Sequence, residues 1–179
     1  MKMNNITLIG MPGAGKSTLG VVLAKILGYE FLDSDLLIQK EEKRRLYQII
    51  DEEGEEGFKA IENRVNASID TENTVIATGG SVVYCSEAME HLKSIGKVVY
   101  LSLSLESLEK RLGNLKKRGV LLKEGQTLKS LYEERVPLYE KYADIVVDEE
   151  GKDLEVCRHF WKHYRQGLLS NCRSLLFAE

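Results

Sequence analysis

At 179 residues, 43% of them hydrophobic and 30% charged, the chain suits one α/β domain with a sizeable core. A formal net charge of −3 argues against a nucleic-acid surface, no apolar run reaches membrane-spanning length, and the N-terminus carries no signal-peptide profile. Three widely spaced cysteines, Cys85, Cys157 and Cys172, form neither a metal-ligand cluster nor an evident disulfide framework, so a reducing cytoplasm is the expected setting and no membrane partner is expected.

The first element is the apolar run Ile6-Thr7-Leu8-Ile9, which reads as a buried strand. Gly10-Met11-Pro12-Gly13-Ala14-Gly15-Lys16-Ser17 follows, with the spacing of a nucleotide-phosphate loop. After it Leu19, Val22, Leu23, Ile26 and Leu27 recur at helical spacing up to Gly28. Strand, glycine loop and helix make a phosphate cradle, because glycine backbone can curl its N–H groups around anionic oxygens and the helix N-terminus adds positive potential. Gly13, Ala14, Gly15, Lys16, Ser17 and Thr18 are therefore expected to bind nucleotide, with Lys16 on the outer phosphates and the Ser17 hydroxyl on Mg²⁺.

Phe31-Leu32 reads as a second strand, ending in Asp33-Ser34-Asp35. Strand carboxyl ends face the ligand crevice of an open α/β sheet, so both acids could meet phosphate, metal or substrate; a helix N-cap before Leu36-Leu37-Ile38 is the equally simple alternative. The mixed charges Glu41 to Arg45 suggest a solvated helix face, and Leu46, Ile49 and Ile50 a short apolar one. Beyond Gly54 a helix is expected from Glu55 to Ile69, with Phe58, Ile61, Val65 and Ile69 as its buried stripe and Lys59, Glu62 and Arg64 as surface charges.

Thr74 to Thr78 reads as a third strand, with Gly79-Gly80-Ser81 at its end allowing close backbone approach to a ligand or simply a tight turn. A helix around Ala88 to Leu92, a strand Lys97 to Leu101 and a helix through Leu105, Leu108 and Leu112 follow. From Arg111 to Lys123, basic residues gather around Gly113, Gly119 and Gly125, which suggests a lid that closes on phosphates. Leu128 to Tyr142 predicts a helical hairpin or a helix kinked at Pro137, Ile145-Val146-Val147 a last strand, and Asp153 to Tyr164 a packed terminal helix in which His159 and His163 are structural. This alternation predicts a three-layer fold, a mostly parallel five-stranded sheet with helices on both faces.

Taken together, these motifs resemble the shikimate kinases. The resemblance runs from about Ile6 to about Val147, through the phosphate loop, Phe31-Leu32-Asp33-Ser34-Asp35, Gly54-Glu55 with Phe58 and Glu62, Ala77-Thr78-Gly79-Gly80, Arg111, Arg118 and Arg135-Val136-Pro137-Leu138-Tyr139. It implies one P-loop kinase domain over residues 1–179, with substrate-binding helices at about 34–69 and a mobile lid at about 113–126. The implied reaction is ATP- and Mg²⁺-dependent phosphorylation of the 3-hydroxyl of shikimate, a step of aromatic amino acid biosynthesis, by a cytoplasmic monomer. Carried over by position, Lys16 would contact the transferring phosphoryl group, Ser17 and, through water, Asp33 would support the metal, and Asp35 would hold the substrate hydroxyls and take a proton. Gly79 and Gly80 would bring backbone to the ring, Arg111 would lie against adenine, Arg118 would reach the phosphates, and Arg135 would clamp the substrate carboxylate.

Four positions depart from the pattern. Lys59 stands where similar kinases carry the second carboxylate-clamping Arg, and Ser81 where a third loop glycine is usual, which puts a side chain where backbone should approach the substrate. Arg118-Gly119-Val120-Leu121 replaces Arg-Pro-Leu-Leu, and Lys43 replaces a glycine. Two other readings stay open: a kinase of the same architecture acting on another small hydroxylated acid or polyol, and a nucleotide-binding regulator without chemistry.

Overall fold

The computed structural model describes residues 4–112 and 125–150. Five strands, β1 (Asn5–Ile9), β2 (Glu30–Asp33), β3 (Thr74–Ala77), β4 (Gly96–Ser102) and β5 (Ile145–Asp148), form one sheet in the order β2-β3-β1-β4-β5. Every pairing is parallel, one step beyond the mostly parallel sheet expected. Parallel strands need both faces covered, and their side chains divide accordingly. Ile6, Leu8, Val75, Val99 and Leu101 pack with Leu19, Leu23 and Ala24 of helix α1 (Lys16–Leu27) on one face. Ile9, Ile76, Val98 and Tyr100 pack on the other with residues of α4 (Ser86–Ile95), α5 (Leu105–Leu112) and α6 (Leu128–Tyr142). Tyr100 stacks on Tyr139 there, ring centroids 5.1 Å apart.

Two helices lie between β2 and β3, α2 (Ser34–Glu42) and α3 (Leu46–Ala67), and share a small core of Ile38, Ile49, Phe58 and Val65. The helix expected to continue into Glu55–Ile69 does so across a kink: Gly54 takes φ 70°, ψ −176°, a conformation that needs glycine. The helix ends two residues before the expected Ile69. Ser68 Oγ donates to the Val65 carbonyl at 3.0 Å, and Ile69 joins the core beside β3 and α4 instead of continuing the α3 stripe. Lys43, where the resemblance leads one to expect glycine, closes α2 with φ 54°, left-handed backbone that glycine adopts without strain and lysine does not.

Among the alternatives for the segment around Pro137, a single helix with the proline inside it is found, capped by Thr127, whose Oγ1 accepts from Ser130 N at 3.1 Å. The expected terminal helix 153–164, most of the lid and Arg118 lie outside the described residues. None of the described helices is long and apolar enough to cross a membrane.

Two loops leave the sheet side by side. Leu8 of β1 is in register with Ala77 of β3, and Thr78 then donates to the Leu8 carbonyl twice, from its N–H at 3.3 Å and its Oγ1 at 2.9 Å. The phosphate loop follows β1 and the Gly79-Gly80 loop follows β3, so both emerge from adjacent strand ends.

Candidate active site

Helix α1 begins at Lys16 after a left-handed Gly15, φ 91°. The Lys16 amine is buried and folds back under its own loop, donating to the carbonyls of Gly10 at 2.8 Å and Met11 at 3.0 Å. Burial lowers its pKa to about 8; the negative charge of Asp35 opposes that shift and Arg135 adds to it. The expected phosphate cradle is thus already curled around a cation.

Asp33 is the helix cap, and its two carboxylate oxygens face different partners. Its Oδ1 accepts from the backbone N–H groups of Asp35 (3.0 Å) and Leu36 (3.3 Å), which fixes the start of α2. Its Oδ2 is left to accept from Ser17 Oγ at 2.8 Å. A hydroxyl and a carboxylate side by side at the head of α1 are hard oxygen donors. They fit Mg²⁺, which takes few protein ligands and completes its octahedron with water and phosphate oxygens.

The opposite wall is built from α2, α3, α6 and the loop after β3. Asp35, in the first turn of α2, has its carboxyl pKa raised, first by burial and then by Asp33. A Cβ on Gly79 would stand 3.0 Å from Asp35 Oδ1 and would overlap Glu62 Oε1. A Cβ on Gly80 would meet Pro12 Cδ at 2.8 Å and Arg135 Nη1 at 3.2 Å. The bare glycine backbone is therefore a steric requirement of the acids and the arginine around it. Tyr139 holds this loop from below, its Oη donating to the Gly80 carbonyl at 2.6 Å.

Arg135, buried on α6, donates from Nε to Tyr84 Oη at 3.3 Å. Lys59 on α3 reaches the same ring, its Nζ 5.3 Å from the Tyr84 ring centroid, while pairing with Glu56 at 2.9 Å and Glu55 at 3.2 Å on its own helix. A cleft of about 460 Å³ joins the two sides. Gly13, Lys16, Ser17 and Thr18 line one part of it, and Asp35, Lys59, Gly79, Gly80, Ser81 and Arg135 another. Arg111 stands beside the phosphate loop, where a Cβ on Gly15 would lie 3.9 Å from its Nη1, and pairs with Glu149 at 3.3 Å.

Glu62 and Tyr84 line the cleft without having been given a site role in the sequence. Glu62, expected on the surface, is fully buried. It lies four residues after Phe58 and three before Val65, on the edge of the apolar stripe, and that spacing was the available signal. Ser81 Oγ donates to its Oε2 at 2.6 Å, while the buried Oε1 has no hydrogen-bond partner among the described residues. The Ser81 bond accounts for the serine at the third loop position: its hydroxyl is engaged by Glu62 while the residue lines the cleft. Tyr84, in the short 3₁₀ turn Val82–Tyr84, had no sequence signal at all.

Burial raises the Glu62 pKa from 4.5 to about 7, opposed by the Ser81 hydrogen bond and reinforced by Asp35. Between these two values the folded chain keeps a proton that the unfolded chain has lost. This group's contribution to stability therefore falls as pH rises through that window. Glu62→Gln mimics the protonated carboxyl and removes the fall. In urea unfolding at pH 5 and pH 8, the variant is expected to gain on the wild type with rising pH, by on the order of 1–3 kcal/mol. Parallel profiles would remove the buried-acid assignment.

Comparison with known proteins places this geometry. The family model described as shikimate kinase matches residues 12–165. A shikimate kinase of Francisella tularensis subsp. novicida is 43% identical over 155 residues, covering 84% of this chain and 88% of that one. Among solved structures, shikimate kinase from Acinetobacter baumannii in complex with shikimate superposes with a TM-score of 0.79 at 35% identity, covering 96% of both chains. The enzyme from Aquifex aeolicus superposes with a TM-score of 0.80 at 34% identity, covering 92% of this chain and 98% of that one.

Proposed function

The chain belongs to the shikimate kinase family, and on that basis we propose that it transfers the terminal phosphoryl group of ATP to the 3-hydroxyl of shikimate, giving shikimate 3-phosphate and ADP. The observation that carries this reading is one cleft lined by Lys16 and Ser17 together with Asp35 and Arg135.

Phosphoryl transfer needs alignment and charge neutralisation more than covalent assistance. Lys16 meets the transferring group as a buried cation, exchanging loop carbonyls for phosphate oxygens. Ser17 and Asp33 would hold Mg²⁺, directly and through water respectively; the ion, when bound, neutralises phosphate charge. Asp35 hydrogen-bonds the acceptor's hydroxyls and takes the proton of the one that attacks. As the new oxygen–phosphorus bond forms, the bond to the ADP oxygen breaks and the proton on Asp35 passes to solvent. Gly79 and Gly80 bring backbone against the ring, and Arg135 with Lys59 faces the carboxylate. Arg111 flanks the nucleotide and Arg118 adds its charge to the phosphates, with residues 113–126 as the lid and residues 34–69 as the acceptor-binding helices of one domain. A cytoplasmic monomer remains part of this reading.

A second acceptor class is favoured by one observation: Lys59 is held by Glu55 and Glu56, which compete with a substrate carboxylate for its charge. ADP release measured with ATP, Mg²⁺ and a panel of hydroxy acids and polyols separates the two. Shikimate is expected to give the highest kcat/KM. A better sugar acid or polyol would replace it as acceptor and leave the kinase chemistry standing.

A further inference from the structure

The two cations facing the acceptor's carboxylate come from different helices, and one aromatic side chain touches both. Lys59 Nζ lies 5.3 Å and Arg135 Cζ 5.2 Å from the centroid of the Tyr84 ring. Tyr84 also lines the cleft and is half-buried, so its contacts are not those of a freely rotating surface ring. Its hydroxyl has a defined direction. It donates to Glu134 Oε1 at 2.7 Å and accepts from Arg135 Nε at 3.3 Å. With Nε engaged there, the guanidinium turns its Nη edge to the glycine loop, where Nη1 stands 3.2 Å from the Cβ position of Gly80.

We propose that Tyr84 is a positioning residue for the acceptor's carboxylate, its ring contacting both Lys59 and Arg135 and its hydroxyl orienting the Arg135 fork. The inference rests on the reading that the acceptor carries a carboxylate bound by these cations. Lysine is a point charge on a flexible stem and has no planar fork with which to fix its own geometry. A π face attracts such a charge when desolvated and limits where it can sit. Glu55 and Glu56 draw Lys59 back along α3, and the ring is the contact drawing it towards Arg135. Tyr84 thus supplies with its ring the organisation that a second arginine would supply with its own plane.

The test is steady-state kinetics of wild type, Tyr84→Phe and Tyr84→Leu with shikimate and with its methyl ester, which lacks the charge. Tyr84→Leu is expected to raise KM for shikimate about 10-fold or more, with kcat and KM for ATP changed less than about 3-fold. Tyr84→Phe keeps the ring and is expected to fall between Leu and wild type. The penalty should vanish with the ester. Equal penalties for acid and ester, a loss confined to kcat, or unchanged shikimate KM in both variants would overturn the proposal. Tyr84→Phe removes one hydroxyl only, so it gives the acid-to-ester ratio even if Tyr84→Leu does not fold. Wild type that fails to use shikimate at all would instead strike the acceptor assignment, an outcome visible before any variant is compared.

Discussion

Lys16→Met is expected to lower kcat/KM by about 10³-fold or more, with folding preserved. Methionine fills nearly the same volume without the charge, so the change isolates electrostatics from packing. At neutral pH an amine with a pKa of about 8 is still mostly protonated. Its positive charge, itself largely shielded from water, is therefore available where negative charge crowds during transfer. The stability consequence has two opposing parts. The Gly10 carbonyl loses the lysine donor, at about 1–3 kcal/mol for a buried acceptor left unmet, the Met11 carbonyl keeps the N–H of Ala14 at 3.1 Å, and the cost of burying an amine disappears. ADP release at saturating acceptor, with urea unfolding as the control for folding, checks both halves. Activity within about 10-fold of wild type would show that the loop's backbone alone supports transfer.

Asp35→Asn ranks next, with kcat expected to fall about 10²- to 10⁴-fold and KM for ATP little changed. The amide keeps the shape and can still hydrogen-bond an acceptor hydroxyl, but it cannot take the proton. The helix start should survive, because Asp33 caps α2 through the backbone N–H of residue 35, whatever its side chain. That separation makes the variant informative. A rise in acceptor KM with kcat intact would reduce Asp35 to a binding group, and the proton would then have to leave by another route. The same steady-state assay, varying ATP and acceptor separately, decides between them.

The phosphate side of this site was legible because its chemistry is local. A strand, a glycine loop and a helix sit consecutively in the chain, so Lys16 and Ser17 could be placed from spacing alone. Asp33 and Asp35 were legible as a pair at a strand end, though their division of labour was not. Only the coordinates reveal that one Asp33 oxygen serves the helix and the other serves Ser17. The acceptor side depends on residues far apart in sequence. Glu62 and Ser81 meet across 19 residues, and Arg135 and Tyr84 across 51, and no periodicity encodes such meetings. Glu62 was misread for a physical reason: a charged residue beside an apolar stripe is usually solvated, and here it is buried with a serine hydroxyl on one oxygen and a raised pKa. The order β2-β3-β1-β4-β5, with every strand parallel, followed from the alternation of elements only as far as class and sheet type.

The pairing of Leu8 with Ala77, clamped by Thr78, has a consequence for the reaction's length scale. Neighbouring parallel strands run about 4.8 Å apart whatever their side chains, a spacing dictated by peptide hydrogen bonding. The roots of the donor loop and the acceptor loop inherit that interval. On the proposed reading, the span a phosphorus atom must cross is thus anchored to the hydrogen-bonded ladder of β1 and β3 and not to the helices around it.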